Sequence, residues 1–199
     1  MEYTRKGIQV MKLHWCCGDI YLDGYINMDV VGIEKNGSLC GVEANLTTLD
    51  NYYKKPFETN FHKRQRGVFI VDQIENILRP WPFEFESVDE IVMISCWEHF
   101  FKHEIIIIKS EIERVLKRGG RLIVDFPNIV ADVSKYYKSD PDYLMELIYC
   151  NGKDERSIHK WGYTAKSFAA MWSDKFTVTR KTIVKHDYPM IGMEVIKNV

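Results

Sequence analysis

The stretch KLHWCCGDIYLDGYINMDV, Lys12 to Val30, decides the fold. Ile8 to Trp15 is short and apolar-rich and predicts a first strand; Tyr25 to Val30 predicts a second. The segment between them, CCGDIYLDG, is too short for a full crossover helix, so a compact turn or a single helical turn must replace it. A glycine turn after one strand and an acid, Asp29, closing the next is how an open α/β sheet presents a nucleoside-bearing cofactor. Turn amides serve one end of the ligand and a carboxylate serves the ribose hydroxyls at the other. Cys16 stands where such turns carry glycine.

Downstream, strands and helices alternate. Gly67 to Val71 (GVFIV) predicts a buried strand ending at Asp72, and Val88 to Ser95 predicts another. Leu46 to Tyr53 suggests a short helix, and the two prolines of LRPWPFEFE, Leu78 to Glu86, require a loop. Phe101, Ile105, Ile108, Ile112 and Val115 recur on one helical face, with Gly119-Gly120 as the stop. Arg121 to Phe126 predicts the next strand. Ala131 to Tyr149 is helical in pattern, and Thr164 can cap a helix running to about Ser173. Phe176 to Lys185 and Met190 to Lys197 form a closing antiparallel pair. The expectation is one domain over residues 1–199, α/β, with a mostly parallel sheet, an antiparallel C-terminal strand and helices on both faces.

Bulk properties narrow the functions. The 199 residues carry 27 basic and 28 acidic side chains, net −1, so nothing in the bulk charge draws the chain to nucleic acid or an anionic membrane. The basic run His62 to Arg66 reads as a solvated loop. Five cysteines without a C-x-x-C pair read as reduced thiols. With no apolar leader and no run long enough to span a bilayer, the sequence predicts a cytoplasmic, non-membrane protein. His14, Cys16 and Cys17 lack a second ligand cluster at metal spacing, so no metal site is expected.

Ligands bind beyond the carboxyl ends of the strands in such a sheet. Those ends carry His14 to Gly18, Asp29-Val30, Asp72-Gln73-Ile74 and Ser95 to His99.

These residues resemble a known family. LHWCCGDIYLDGYINMDV is similar to the first motif of class I S-adenosylmethionine (SAM)-dependent methyltransferases, nearest the small type 11-like group; Leu13, Cys17, Gly18, Gly24, Tyr25, Asn27 and Asp29 match. WPFEFESVDEIVMISCWEHF resembles that family's fourth strand and Glu-His motif. EIERVLKRGGRLIVDFPN and SIHKWGYTAKSFAAMW resemble two further blocks. The resemblance implies a Rossmann-like class I fold binding SAM and releasing S-adenosylhomocysteine (SAH). It implies that Cys16, Cys17 and Gly18 lie at the methionine end, Asp29 at the ribose, and Asp72, Gln73 and Ile74 at the adenine edge. Ser95, Cys96 and Trp97 would floor the sulfonium, and His14 and Val30 complete the cofactor set. His99 and His159 are the candidate catalytic bases.

The implied activity is methyl transfer to a small-molecule or glycan-like acceptor. Neither the Asn/Asp-Pro-Pro-Tyr motif of amino-directed DNA methyltransferases nor a Pro-Cys dipeptide occurs. Two other readings stand beside it. Cys16 is either tolerated by the turn or weakens binding, which would leave a degenerate SAM/SAH-binding module. An NAD-dependent oxidoreductase is disfavoured because the first turn lacks G-x-G-x-x-G.

Overall fold

The computed structural model describes residues 10–35, 46–52, 70–150, 155–184 and 186–199. The basic run at 62–66, and all but the last two residues of the expected strand at 67–71, lie outside these.

The strands in chain order are β1 (Lys12–Trp15), β2 (Tyr21–Leu22), β3 (Ile26–Asp29), β4 (Ile33–Glu34), β5 (Leu46–Thr47), β6 (Ile70–Val71), β7 (Gln73–Ile74), β8 (Val88–Ile94), β9 (Leu116–Pro127), β10 (Phe176–Arg180) and β11 (Met190–Lys197). The helices are α1 (Lys102–Val115), α2 (Ile129–Tyr136), α3 (Pro141–Tyr149) and α4 (Ala165–Ala169). Seven strands form one sheet in the order β10-β11-β9-β8-β1-β3-β7. Numbered within that sheet from the other edge, the order is 3-2-1-4-5-7-6. β11 runs antiparallel to both neighbours, and the pairings from β9 through β8, β1 and β3 to β7 are parallel. The order reverses between β1 and β8, and a ligand crevice opens at such a switch point.

Alternation along β8 explains why the sheet is buried on both faces. Ile91 and Met93 point into one cluster with Ile105, Ile108 and Ile112 of α1 and Phe168 of α4. Val92 and Ile94 point into the other, with Ile20, Leu22 and Tyr52. Among the described residues, this second face is covered by the β1–β3 connection together with Leu49, Tyr52, Ile183 and Val184.

That connection holds turns and the short strand β2, which pairs with β5, where a compact or helical turn was expected. Leu46–Thr47 is likewise strand, followed by a 3-10 turn at Leu49–Asn51. The sheet's third strand is Gln73–Ile74; Ile70–Val71 pairs with β4 instead. The helical pattern of 131–149 is divided by Asp140-Pro141: the Asp140 carboxylate caps α3, and proline takes the first turn, where its missing N–H costs nothing. Thr164 caps α4 as expected, through Ser167, but that helix stops at Ala169.

The helix α1 matches its periodicity, burying Ile105, Ile108, Ile112 and Val115. It also fixes the Pro-rich loop. Arg114 donates to the carbonyls of Trp81 (2.9 Å) and Phe83 (2.6 Å), and Glu111 accepts from the Trp81 amide (2.6 Å). Strand β9 begins directly after α1, earlier than expected, and absorbs Gly119-Gly120 beside a register shift against β8. A Cβ on Gly120 would lie 2.9 Å from the Lys117 carbonyl, so glycine is required there. None of the helices among the described residues is long and apolar enough to cross a membrane.

Ile108 is fully buried and its helical neighbour Ile107 is exposed. Ile108→Ala should lower unfolding free energy by about 2–5 kcal/mol, and Ile107→Ala by under about 0.5 kcal/mol. Urea midpoints of the two variants check this.

Candidate functional site

The ends of the parallel strands β7, β3, β1 and β8 lie side by side along the sheet, with the switch point between β1 and β8. At the end of β1, Cys16 adopts the left-handed conformation (φ 55°), as does Gly18 (φ 56°). The cysteine therefore keeps a backbone shape that favours glycine and carries the strain of its Cβ. A disulfide joins Cys16 to Cys96, the residue two beyond β8, with Cα atoms 5.8 Å apart. This corrects the expectation of reduced thiols for these two residues: they are distant in sequence, and the parallel pairing of β1 with β8 makes their strand ends neighbours. Cys17 is a free, buried thiol whose pKa is raised by burial and by Asp29.

Asp29 closes β3 as predicted. Its Oδ2 accepts the Gly18 amide (3.0 Å), and its Oδ1 accepts the Val30 amide (2.7 Å). The turn and the acidic strand end are thus one unit. The space where Gly18 would carry a Cβ is open, and Val30 is exposed. At the adjoining edge, Gln73 sits opposite Met28, and its side-chain carbonyl oxygen is buried without a hydrogen-bond partner. An acidic strand end beside open space and an unsatisfied acceptor fit a nucleoside with ribose hydroxyls and an exocyclic amine.

Two expected cofactor residues are otherwise employed. The Asp72 carboxylate accepts from the Tyr21 hydroxyl (2.5 Å) and the Asn27 amide (2.8 Å). The Ile74 amide donates to Glu34. His14 is fully buried beneath the sheet surface. Its protonation follows from its neighbours. The Leu22 N–H can only donate, so the Asn27 atom facing it is oxygen, and the His14 Nδ1 that shares this oxygen must donate too (both 2.8 Å). The neutral ring then accepts the Tyr52 hydroxyl at Nε2 (2.7 Å). Burial holds the His14 pKa down at about 4. Both His14 nitrogens are engaged within the protein, one with Asn27 and one with Tyr52, so the ring acts as a structural cross-link.

Past β8, Ser95 is left-handed (φ 47°), and its amide donates to Asp125 on β9 (2.9 Å). The other Asp125 oxygen bonds His186 (2.7 Å), a buried pair between β9 and the β10–β11 connection that the sequence did not suggest. Trp97 is fully buried against Phe168, so its ring belongs to the core. His99 and His159 lie side by side, with ring centroids 5.1 Å apart. The Glu98 carbonyl ties them, accepting from the amides of Lys160 (2.8 Å) and Trp161 (3.2 Å). Burial, and next the neighbouring His99, lower the His159 pKa to about 4. Burial raises the Glu98 carboxyl well above the usual range, and Asp125 adds to this. The sequence marks Glu98 only as part of the Glu-His motif; its burial, a tertiary property, is what sets it apart.

A family model described as "Methyltransferase domain" matches residues 34–124. Over that stretch the chain is similar to methyltransferase domains, and its seven-stranded order is that of a Rossmann-like methyltransferase fold. No curated protein matches the chain. Among solved structures, YcgJ from Bacillus subtilis is similar over 96% of this chain and 93% of its own, at 14% identity and TM-score 0.51. The plantazolicin methyltransferase BpumL, solved with SAH, is similar over 96% of this chain and 76% of its own, at 10% identity and TM-score 0.51. At these identities the likeness is one of fold.

The His14 ring gives a pH prediction. Its pKa falls from 6.5 to about 4 on folding, so the unfolded chain binds the proton first as pH drops. The stabilisation is complete above pH 6.5 and fades toward pH 4, by about 3 kcal/mol in all. His159 contributes in the same window with the same sign. His14→Gln should be less stable at pH 7 and should lose part of the slope between pH 6.5 and 4. Urea unfolding of parent and variant at both ends of that window checks it.

Proposed function

We propose that the protein transfers a methyl group from SAM to a small-molecule or glycan-like acceptor, in the crevice between β1 and β8. The observation that carries this is the Gly18–Asp29 hydrogen bond, which fixes a carboxylate at the end of β3 beside open space. The remaining Asp29 acceptor capacity suits a vicinal diol. Gln73 suits the exocyclic amine of adenine. Cys17 and Gly18 would border the methionine end. Asp72 acts indirectly, by holding Asn27 and Tyr21 in place.

When bound, SAM supplies an electrophilic methyl group on a sulfonium, which becomes a neutral thioether as the methyl departs. The chain's contribution is placement and proton control. His99 donates Nδ1–H to the Ile158 carbonyl (3.1 Å), which puts the ring's lone pair, the basic site, on Nε2. His159, with its lowered pKa, stays neutral at pH 7.

The disulfide favours a second reading, a SAM/SAH-binding module without catalysis. It fixes the Cys16 side chain against the strand end that would floor the sulfonium.

Isothermal titration with SAM, SAH and NAD distinguishes these. SAM and SAH should bind and NAD should not; absence of heat with both sulfur ligands would sink the cofactor assignment. Asp29→Ala should weaken SAH binding about 10–100-fold, the worth of one charge-assisted hydrogen bond. Asp29→Asn, which retains an acceptor oxygen for Gly18, should lose less. Cofactor binding without methyl transfer across a panel of hydroxylated small molecules and glycans would select the second reading.

A further inference from the structure

Glu98 and His99 sit on the 3-10 turn that follows β8, and His159 lies on the segment that the Glu98 carbonyl anchors. One donor atom from each of these three side chains lies within 4.8 Å of the other two. Glu98 is 2% exposed, and its Oε2 has no hydrogen-bond partner. A buried carboxylate oxygen left unsatisfied costs stability, and native structures rarely retain one without a reason. Its neighbour does not relieve it: His159 Nε2 stands 4.0 Å from Glu98 Oε1, too far for a hydrogen bond.

We propose that Glu98, His99 and His159 bind a divalent transition-metal ion. The donors suit it. A carbonyl can only accept, so the contact from His99 Nδ1 to the Ile158 carbonyl places the proton on Nδ1 and the lone pair on Nε2. That contact is the outer hydrogen bond by which metal-bound imidazoles are oriented. Two imidazoles and a carboxylate select the zinc, cobalt, manganese and iron group over magnesium or calcium, which take mainly oxygen donors. Bonds of about 2.1 Å require donors roughly 3.4 Å apart, so the three side chains close by about 1 Å around the ion. Three protein ligands leave a position open, as in sites that act on a substrate. His99 and His159 are partly exposed, which gives an ion a way in.

The ion also refines the acceptor, and this part rests on the methyltransferase reading. Beside an open coordination position, a hydroxyl-bearing acceptor is oriented and made more acidic, with its proton passing to solvent. The histidines then serve as ligands, and an alcohol or phenol is the acceptor class.

The test uses untagged full-length protein, freed of metal with a chelator and titrated with Co²⁺. Heat and the visible ligand-field band are read in the absence of SAM. One site per chain is expected, with affinity about 10–100-fold lower or worse in Glu98→Gln, His99→Asn and His159→Asn. Near-UV circular dichroism identifies the variants that keep the native fold, and affinity is compared in those. Should all three misfold, a shift of the His99 and His159 ring resonances of the parent on adding Zn²⁺ supports the site. No ligand-field band in the parent, unchanged affinity in folded variants, or unshifted rings overturns it. SAH titration is run separately on the metal-free protein. Cobalt binding without SAH binding refutes the methyltransferase reading alone, and SAH binding without cobalt refutes the metal site alone.

Discussion

The structure depends on a single buried amide. Asn27 is completely buried on β3, and its side chain uses both ends. Oδ1 accepts from His14 on β1 and from the Leu22 amide, and Nδ2 donates to the carbonyls of Leu22 and Tyr25 and to Asp72. Parallel neighbours are usually joined by a crossover helix that buries its apolar face on the sheet. Here residues 16–25 provide no helix, and polar cross-links fix what packing would otherwise fix. Inside a protein such a network is strong when every member is satisfied and costly when one is lost. Asn27 stands one residue from Met28, the partner of Gln73, and two from Asp29, so the network also sets where the ribose-binding candidate sits.

Legibility in the sequence followed the length of each signal. The helix α1 and strands β8, β9 and β11 were readable because apolar residues repeat over several turns or many alternations. β7 was missed because two residues carry no periodicity, and its pairing depends on Asp72 being held by Asn27 and Tyr21. The division of 131–149 was written in Asp140-Pro141, a cap followed by a helix-starting proline, and the apolar pattern around it masked that signal. Within the site, Asp29 was readable as an acid ending a strand. The Cys16–Cys96 bond and the Asp125–His186 pair were not, because each joins residues more than 60 positions apart. The sequence can name such residues but not bring them together.

The strand ends at the switch point share one device. Cys16 and Ser95 are both non-glycine residues in the left-handed region, each just past the end of its strand. Such backbone costs about 1–3 kcal/mol per residue and persists only where neighbours over-determine it. The disulfide holds the first, and Asp125 receives the amide of the second. Two adjacent strands thus leave the sheet through the same backbone conformation, tied to each other by the disulfide and to β9 through Asp125. The departure from glycine at Cys16 is therefore compatible with the turn: a covalent bond, in place of a missing Cβ, keeps the conformation.

Two desolvated histidines, His14 fully buried and His159 partly exposed, show how lost hydration leads to different roles. His14 and His159 are both held neutral at pH 7 by desolvation. The His14 nitrogens are both committed, one to Asn27 and one to Tyr52, so its neutrality serves only to fix a tautomer within the core. His159 faces a carboxylate 4.0 Å away that remains partly unsatisfied, beside a second imidazole whose Nδ1 is already spoken for. A neutral imidazole next to an under-coordinated buried carboxylate is poised to share a cation, whereas a neutral imidazole between two satisfied partners is not. Desolvation alone therefore does not mark chemistry; what marks it here is the acceptor capacity left over after the local hydrogen bonds are counted.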